Sequence, residues 1–236
     1  VVPFFAVAVA VFLFEGIGPV LAERKSAMGT PWNPFHIAER YGLLAIITLG
    51  EGVFGTVAAV SVLVQEQDWS AEAVLVVLAG VGLTFGLWWT YFIFPSGQIL
   101  ARHRGRQFLW GYGHLPLYGS IAATGAGVHV AAYVIEGDAE IGTLGAIVAV
   151  AVPVLIFSVA LFTLYAALFR ALDPFHIALF AGTVLVLGIA VWLAALGASI
   201  GLCLIIVTLS PAVIVVGYET LGYRHQERAL ERVLAE

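Results

Sequence analysis

The sequence predicts an all-α fold: a polytopic membrane helical bundle of about seven transmembrane helices. Three observations carry that prediction. The 236 residues are 61% hydrophobic and 11% charged, with a mean hydropathy of +1.03, whereas a soluble domain has about 25% charged residues. The apolar residues fall into seven long blocks, each close to the ~20 residues that cross a ~30 Å hydrocarbon layer. Lys and Arg occur in every second connection, the alternation that the positive-inside rule demands of a multi-span chain.

Each span can be justified in turn. Span 1–22 is apolar except for Glu15. No basic residue precedes it and no small-residue cleavage site follows, so it does not read as a signal peptide. The chain starts at Val1 and its one methionine, Met28, sits in a loop, so it reads as a piece of a longer chain. Loop 23–34 carries Arg24 and Lys25. Span 35–64 follows Asn33-Pro34, a helix-capping residue with proline at the first helical position. Loop 65–71 holds Glu66 and Asp68 but no Lys or Arg. Spans 72–95 and 109–136 flank a basic loop, 96–108, with Arg102, Arg104 and Arg106. Span 141–170 follows the acidic turn of Asp138 and Glu140. The run 176–217 is too long for one crossing, and the break at Gly197-Ala198-Ser199-Ile200-Gly201 divides it into spans 176–197 and 199–222. The tail 223–236, with Arg224, Arg228 and Arg232, reads as a short polar cytoplasmic helix. Spans 1–222 form one transmembrane domain with the first residue outside and the tail inside.

Composition excludes several function classes. The basic clusters are too short for nucleic acid binding. A lone cysteine, Cys203, allows no internal disulfide. Lys25 is the only lysine and lies in a loop, which excludes a retinal Schiff base. No P-loop or dinucleotide fingerprint is present. There is no HExxH and no i,i+4 His pair for a metal; His36, His114 and His176 share a depth, yet no metal or other cofactor is expected. Trp88, Trp89, Tyr91, Trp110, Tyr112 and Tyr118 read mostly as an interfacial aromatic belt.

Pro34-Phe35-His36-Ile37-Ala38 recurs as Pro174-Phe175-His176-Ile177-Ala178. Four spans separate the two starts, so a true internal repeat is parallel rather than inverted; convergence on one helix-start chemistry is the alternative. Gly82-x-x-x-Gly86 offers a helix contact or a dimer seam.

The second span concentrates the polar residues. With His36 as zero and a helical turn of about 100° per residue, Glu39 falls at about −60°, Arg40 at about +40° and Glu51 at about +60°. Charges within a span are costly, so this sector is expected to face protein or water. Arg40 needs a carboxylate at its own depth, and Glu15 on the antiparallel first span is preferred over Glu39. Glu51 lies roughly 20 Å further along with no basic partner, so it reads either as a proton or cation site or as a protonated hydrogen-bond donor. Gly50, Gly52 and Gly55 are expected to allow close helix approach. The candidates for an ion or substrate pathway are therefore His36, Glu39, Arg40, Glu51, Glu15 and His114.

Residues 35–52, FHIAERYGLLAIITLGEG, resemble the signature helix of the bacterial low temperature requirement protein A (LtrA) family, H-x-x-E-R-[FY]-G-L followed by an apolar run and L-G-E. His36, Glu39, Arg40, Tyr41, Gly42, Leu43, Leu49, Gly50 and Glu51 match. Trp88-Trp89-x-Tyr91 and Tyr112-Gly113-His114-Leu115-Pro116-Leu117 are similar to later spans of that family. The likeness is good over residues 1–136 and is carried beyond them by hydrophobic pattern. Family members usually begin with a further helical block bearing an E-L-F-F-D-L-x-F-V-like helix, which is not matched here. The resemblance implies a bacterial inner-membrane protein and a link to growth in the cold; it supplies no reaction.

Three functions follow from these residues. The first is a transporter or channel-like protein for a small ion or solute. The second is an intramembrane enzyme using His36, Glu39 and His114 at the cytoplasmic face. The third is a non-catalytic membrane scaffold. Catalysis is the less expected outcome. The lipid bilayer is the expected partner, and a homo-oligomer stays open.

Overall fold

The computed structural model describes residues 2–25, 31–67, 70–137, 139–170, 173–223, 225, 227 and 230–231. Among the described residues eight α-helices form: α1 (Val2–Lys25), α2 (Pro34–Gln67), α3 (Ala71–Phe92), α4 (Ser96–Arg102), α5 (Gln107–Glu136), α6 (Gly142–Phe169), α7 (Pro174–Ala195) and α8 (Ile200–Gly217). All except the short α4 are long and apolar enough to cross a membrane. A 3₁₀ turn, Arg104–Arg106, joins α4 to α5, and a π-helical turn, Tyr218–Gly222, extends α8. Met28, Asp68, Asp138, Arg224, Arg228 and Arg232 lie outside the described residues, as do the side chains of Arg24, Lys25 and Glu66.

Six helices close into a ring in the order α2, α3, α8, α7, α6, α5, and α5 returns to α2. The core fills its interior with Leu, Ile, Val, Ala and Phe side chains such as Leu49, Leu83, Ile121, Phe157 and Val207. Helix α1 stands outside the ring, and no described residue of it is buried. Because helix direction alternates, the starts of α2, α5 and α7 lie at one end with the basic connections; this is called the basic end below, and the opposite end the acidic end.

Close approach of backbones sets the geometry of the ring. A Cβ on Gly125 of α5 would lie 2.5 Å from the Glu51 carbonyl oxygen of α2, and one on Gly55 would strike the Gly125 carbonyl. Gly52 faces Thr84 of α3, with 2.5 Å to Oγ1 for the same added atom. Gly50, the third glycine of this group, faces open space instead. Gly82 and Gly86 meet Thr208 and Pro211 of α8, so this glycine pair serves a contact inside the chain. Small residues permit such contact because lipid supplies no hydrophobic drive between helices, and packing must supply it instead.

Helix ends follow local chemistry. Asn33 Oδ1 accepts from Phe35 N and His36 N at 3.0 and 3.2 Å, and Asp173 Oδ1 accepts from Phe175 N at 2.9 Å. Helix α7 stops in a Schellman motif: Gly197 takes φ +85°, and Ala198 N bonds Leu193 O at 3.1 Å. Ser199 then caps α8 through Leu202 N. Pro211 cannot donate to Val207 O, and the neighbouring Ser210 hydroxyl takes that carbonyl at 2.7 Å, the substitution a proline inside a membrane helix requires.

One segment departs from the sequence reading. Residues 96–108, read as a loop, contain α4 and the 3₁₀ turn. Ile99 and Leu100 are fully buried, and Gly97 packs on Phe35, so the connection folds under the start of α2. Arg104 donates to Trp32 O at 3.0 Å and sits 5.0 Å over its ring. Arg106 donates to the Leu168 carbonyl at the end of α6, occupying one of the carbonyls a helix end leaves unpaired.

Gly125→Ala should therefore lower stability by about 1–3 kcal/mol, as overpacking against a fixed backbone does. Gly119→Ala on the same helix meets nothing within 4 Å and should be neutral or slightly stabilising. Thermal unfolding of the two variants in detergent measures the difference.

Candidate functional site

The polar sector of α2 points away from the ring. His36, Glu39, Arg40 and Glu51 are all exposed, while Gly42, Ala45, Leu49 and Thr56 face inward. The sector, expected to face protein or water, lies on the outer side of the ring and not in its interior. Helix length gives the reason for the first three residues. At 34 residues α2 is roughly 51 Å long, well beyond the ~30 Å hydrocarbon layer, so its first two turns reach the interface, where charges are tolerated.

Arg40 does not bond Glu15 or Glu39. Its Nε donates to His36 Nε2 at 3.1 Å, which assigns the His36 ring proton to Nδ1. That nitrogen lies 3.7 Å from Glu39 Oε2. Helical spacing produces this chain, since residues three and four apart are neighbours, and depth matching across two helices ignores it. As a surface network it contributes at most about 1 kcal/mol. Glu51 is exposed further along the same face. The small cavity between α2, α3 and α5, about 10 Å³, is lined by its neighbour Gly52.

Glu15 and Arg40 nevertheless share one space. A groove of about 600 Å³ separates α1 from the α2–α5 seam, and its walls include Glu15, Glu23, Arg40, Trp32, Tyr41 and Tyr112. The Tyr112 hydroxyl donates to the Gly16 carbonyl, one link that ties α1 to the ring. The rest of the lining is apolar apart from Gln107, and includes Phe12, Ile37 and Phe108.

His114 lies elsewhere. It is 2% exposed, held between α2, α3 and α5. Its Nδ1 donates to Trp110 O at 2.7 Å, so Nε2 accepts from the Tyr91 hydroxyl at 3.0 Å. Rings surround it: Trp110 at 4.5 Å, Tyr41 at 4.9 Å, Tyr118 at 5.3 Å and Tyr91 at 5.7 Å between centroids. Tyr118 donates to Tyr41 O at 2.8 Å. Trp88, Trp89 and Tyr112 are exposed and fit an interfacial belt, whereas Tyr91 and Trp110 are buried around His114. A cavity of about 50 Å³ beside His114 is lined by Tyr91, Ser96 and Trp110, and neither His36 nor Glu39 borders it.

The repeated motif builds a different environment at α7. His176 is buried and stacks on Tyr165 at 4.3 Å. Asp173 Oδ2 lies 3.8 Å from His176 Nδ1 and 3.2 Å from His225 Nδ1, tying the tail to the start of α7. The two motif copies thus share capping, but one histidine is exposed and the other buried. His36, His114 and His176 do not converge, and among the described residues no group of three or more His, Cys, Asp or Glu could hold a metal ion.

The sequence reading missed Tyr41, Tyr91, Trp110 and Tyr118 as a packed cluster, and Glu23 as a groove wall. The available signal was the placement of small residues: Gly42, Gly111 and Gly113 leave room for Phe92, Tyr41 and Leu164, and such positions mark the packed face of a membrane helix.

Tyr91→Phe should destabilise the protein by about 1–3 kcal/mol, because His114 Nε2 loses its donor in a buried site. Tyr112→Phe, which frees a carbonyl only on α1, should cost under about 1 kcal/mol. Chemical denaturation in a mild detergent compares the two.

A model of the family described as bacterial low temperature requirement A protein (LtrA) matches residues 2–211. The match runs into α8, well past residue 136, where recognisable motifs end. No curated protein and no solved structure matches the chain.

Proposed function

The chain belongs to the LtrA family and is an integral membrane protein with seven helices able to span; on that premise we propose that it moves a small ion or solute along the groove between α1 and the α2–α5 seam. The observation that carries the reading is the groove itself. It sets two carboxylates and a guanidinium, Glu15, Glu23 and Arg40, in a volume of about 600 Å³ on a mostly apolar wall. Of the three, Glu15 lies well inside its apolar helix, where an ionisable group is by default a candidate for a solute or ion pathway. The ring interior is a poor alternative route, since its cavities near Gly52 and His114 measure only about 10 and 50 Å³. On this reading the basic end is cytoplasmic, by the positive-inside rule, and the membrane is the bacterial inner membrane. Movement of α1 toward or away from the ring opens and closes the path.

A scaffold role is the second reading, favoured by His114, whose ring nitrogens are both engaged, one within α5 and one across to Tyr91 of α3. An enzyme has less support, because His114 and the His36–Glu39 pair do not share a cavity.

The test is flux in reconstituted vesicles under imposed proton, sodium and potassium gradients. Glu15→Gln and Arg40→Gln should each lower flux at least tenfold without shifting the unfolding temperature. Glu15→Arg combined with Arg40→Glu should restore part of it. No flux by the unaltered protein under any gradient contradicts transport and leaves the scaffold.

A further inference from the structure

We propose that the outward face of α2 docks a second copy of this chain, helix against helix in parallel about a two-fold axis. The face carries the spacing that such packing needs. Arg40, Leu43, Ile47, Gly50, Phe54 and Val57 follow one another at intervals of three, four, three, four and three residues. That 3.5-residue period is the seam of a left-handed helix pair. Continued to His36 and Ser61, the seam is roughly 37 Å long at about 1.5 Å per residue. Its large side chains are unusually bare, Ile47 at 71% and Phe54 at 74% exposure.

The charges favour a second copy over an unrelated helix, because Glu39 and Arg40 complement each other across a two-fold axis. Glu39 and Arg40 are adjacent in sequence, so they stand at nearly the same height, and the helical turn sets them on opposite flanks of the seam. A two-fold axis along the seam places Arg40 of each copy beside Glu39 of the other, so the face complements itself, as an isologous interface must. Arg40 uses Nε on His36, so its terminal nitrogens are not engaged by that bond. Gly50 lies on the seam with nothing within 4 Å of an added Cβ, so two backbones can approach there. Glu51, one residue on, then sits at the edge of a protein contact instead of in open lipid. Helix α1 lies on the Arg40 flank, across a groove lined by Ile37, Arg40 and Tyr41, and none of the seam residues from Leu43 to Val57 borders that groove. Both copies insert with one topology, so the parallel arrangement follows.

The experiment is oxidative cross-linking in native membranes, in a Cys203→Ala background, with single cysteines at Ile47, Phe54 and, as a control on the outward face of α7, Ile189 (40% exposed). Disulfide dimers at positions 47 and 54 but not at 189 are expected. Native mass spectrometry of the unsubstituted chain, which does not depend on the cysteine background, should show two copies. Glu39→Arg and Arg40→Glu alone should weaken the dimer at least tenfold, and the double reversal should restore it. A monomer in native mass spectrometry, cross-linking at 189 equal to that at 47 and 54, or insensitivity to the single reversals would overturn the proposal.

Discussion

The contact between α3 and α8 closes the ring, and the other helices depend on it. Most other junctions join helices that follow one another in sequence; this one joins residues about 130 positions apart. It is fastened along its whole length. Near the acidic end, Glu72 Oε1 accepts from Gly201 N at 2.5 Å, completing the cap of α8. At mid-depth, Thr208 donates to Ala79 O at 3.0 Å while Gly82 and Gly86 admit Thr208 and Pro211. Near the basic end, Trp89 Nε1 donates to Glu219 Oε1 at 3.1 Å. Closing so long a loop costs chain entropy, and in lipid the compensation must come from packing and hydrogen bonds.

Closure has a consequence for function. A ring of six helices packed through glycine contacts leaves little space at its centre, so its buried polar side chains such as His114 are taken up in hydrogen bonds while the carboxylates and guanidinium of the groove fall outside it. The charged start of α2 lies on its exposed face, and the principal groove forms where α1 meets the ring. The proposed path and the proposed dimer seam are therefore two flanks of one helix, with Arg40 at the edge of both.

Much of the architecture was legible in the sequence. Apolar block length gave the seven crossing helices, and Gly197 with Ser199 marked the break between α7 and α8, because a positive φ and a cap leave plain residue signatures. Facing was not legible. In water, polarity separates outside from inside, but in a membrane the charged sector of α2 indicated only protein or water and did not tell which of the two it faces. Small residues hold that information instead: Gly42, Gly52 and Gly55 lie on the packed side. The partner of Arg40 was misread for a related reason. Matching depth compares heights on two helices, while the His36 imidazole four residues away needs no second helix at all. His114 was read as a depth along its span, and its ring of aromatics required knowing which helices meet.

The central claim is that α2 to α8 form a self-sufficient ring and that α1 is an accessory wall. Truncating the chain at Pro31 tests it most directly, because Trp32 remains anchored by Arg104. The account predicts that this chain keeps its helical content per residue and an unfolding temperature close to that of the longer chain in the same detergent, while flux is lost. Aggregation, or a cooperative loss of helix on removing α1, would contradict it.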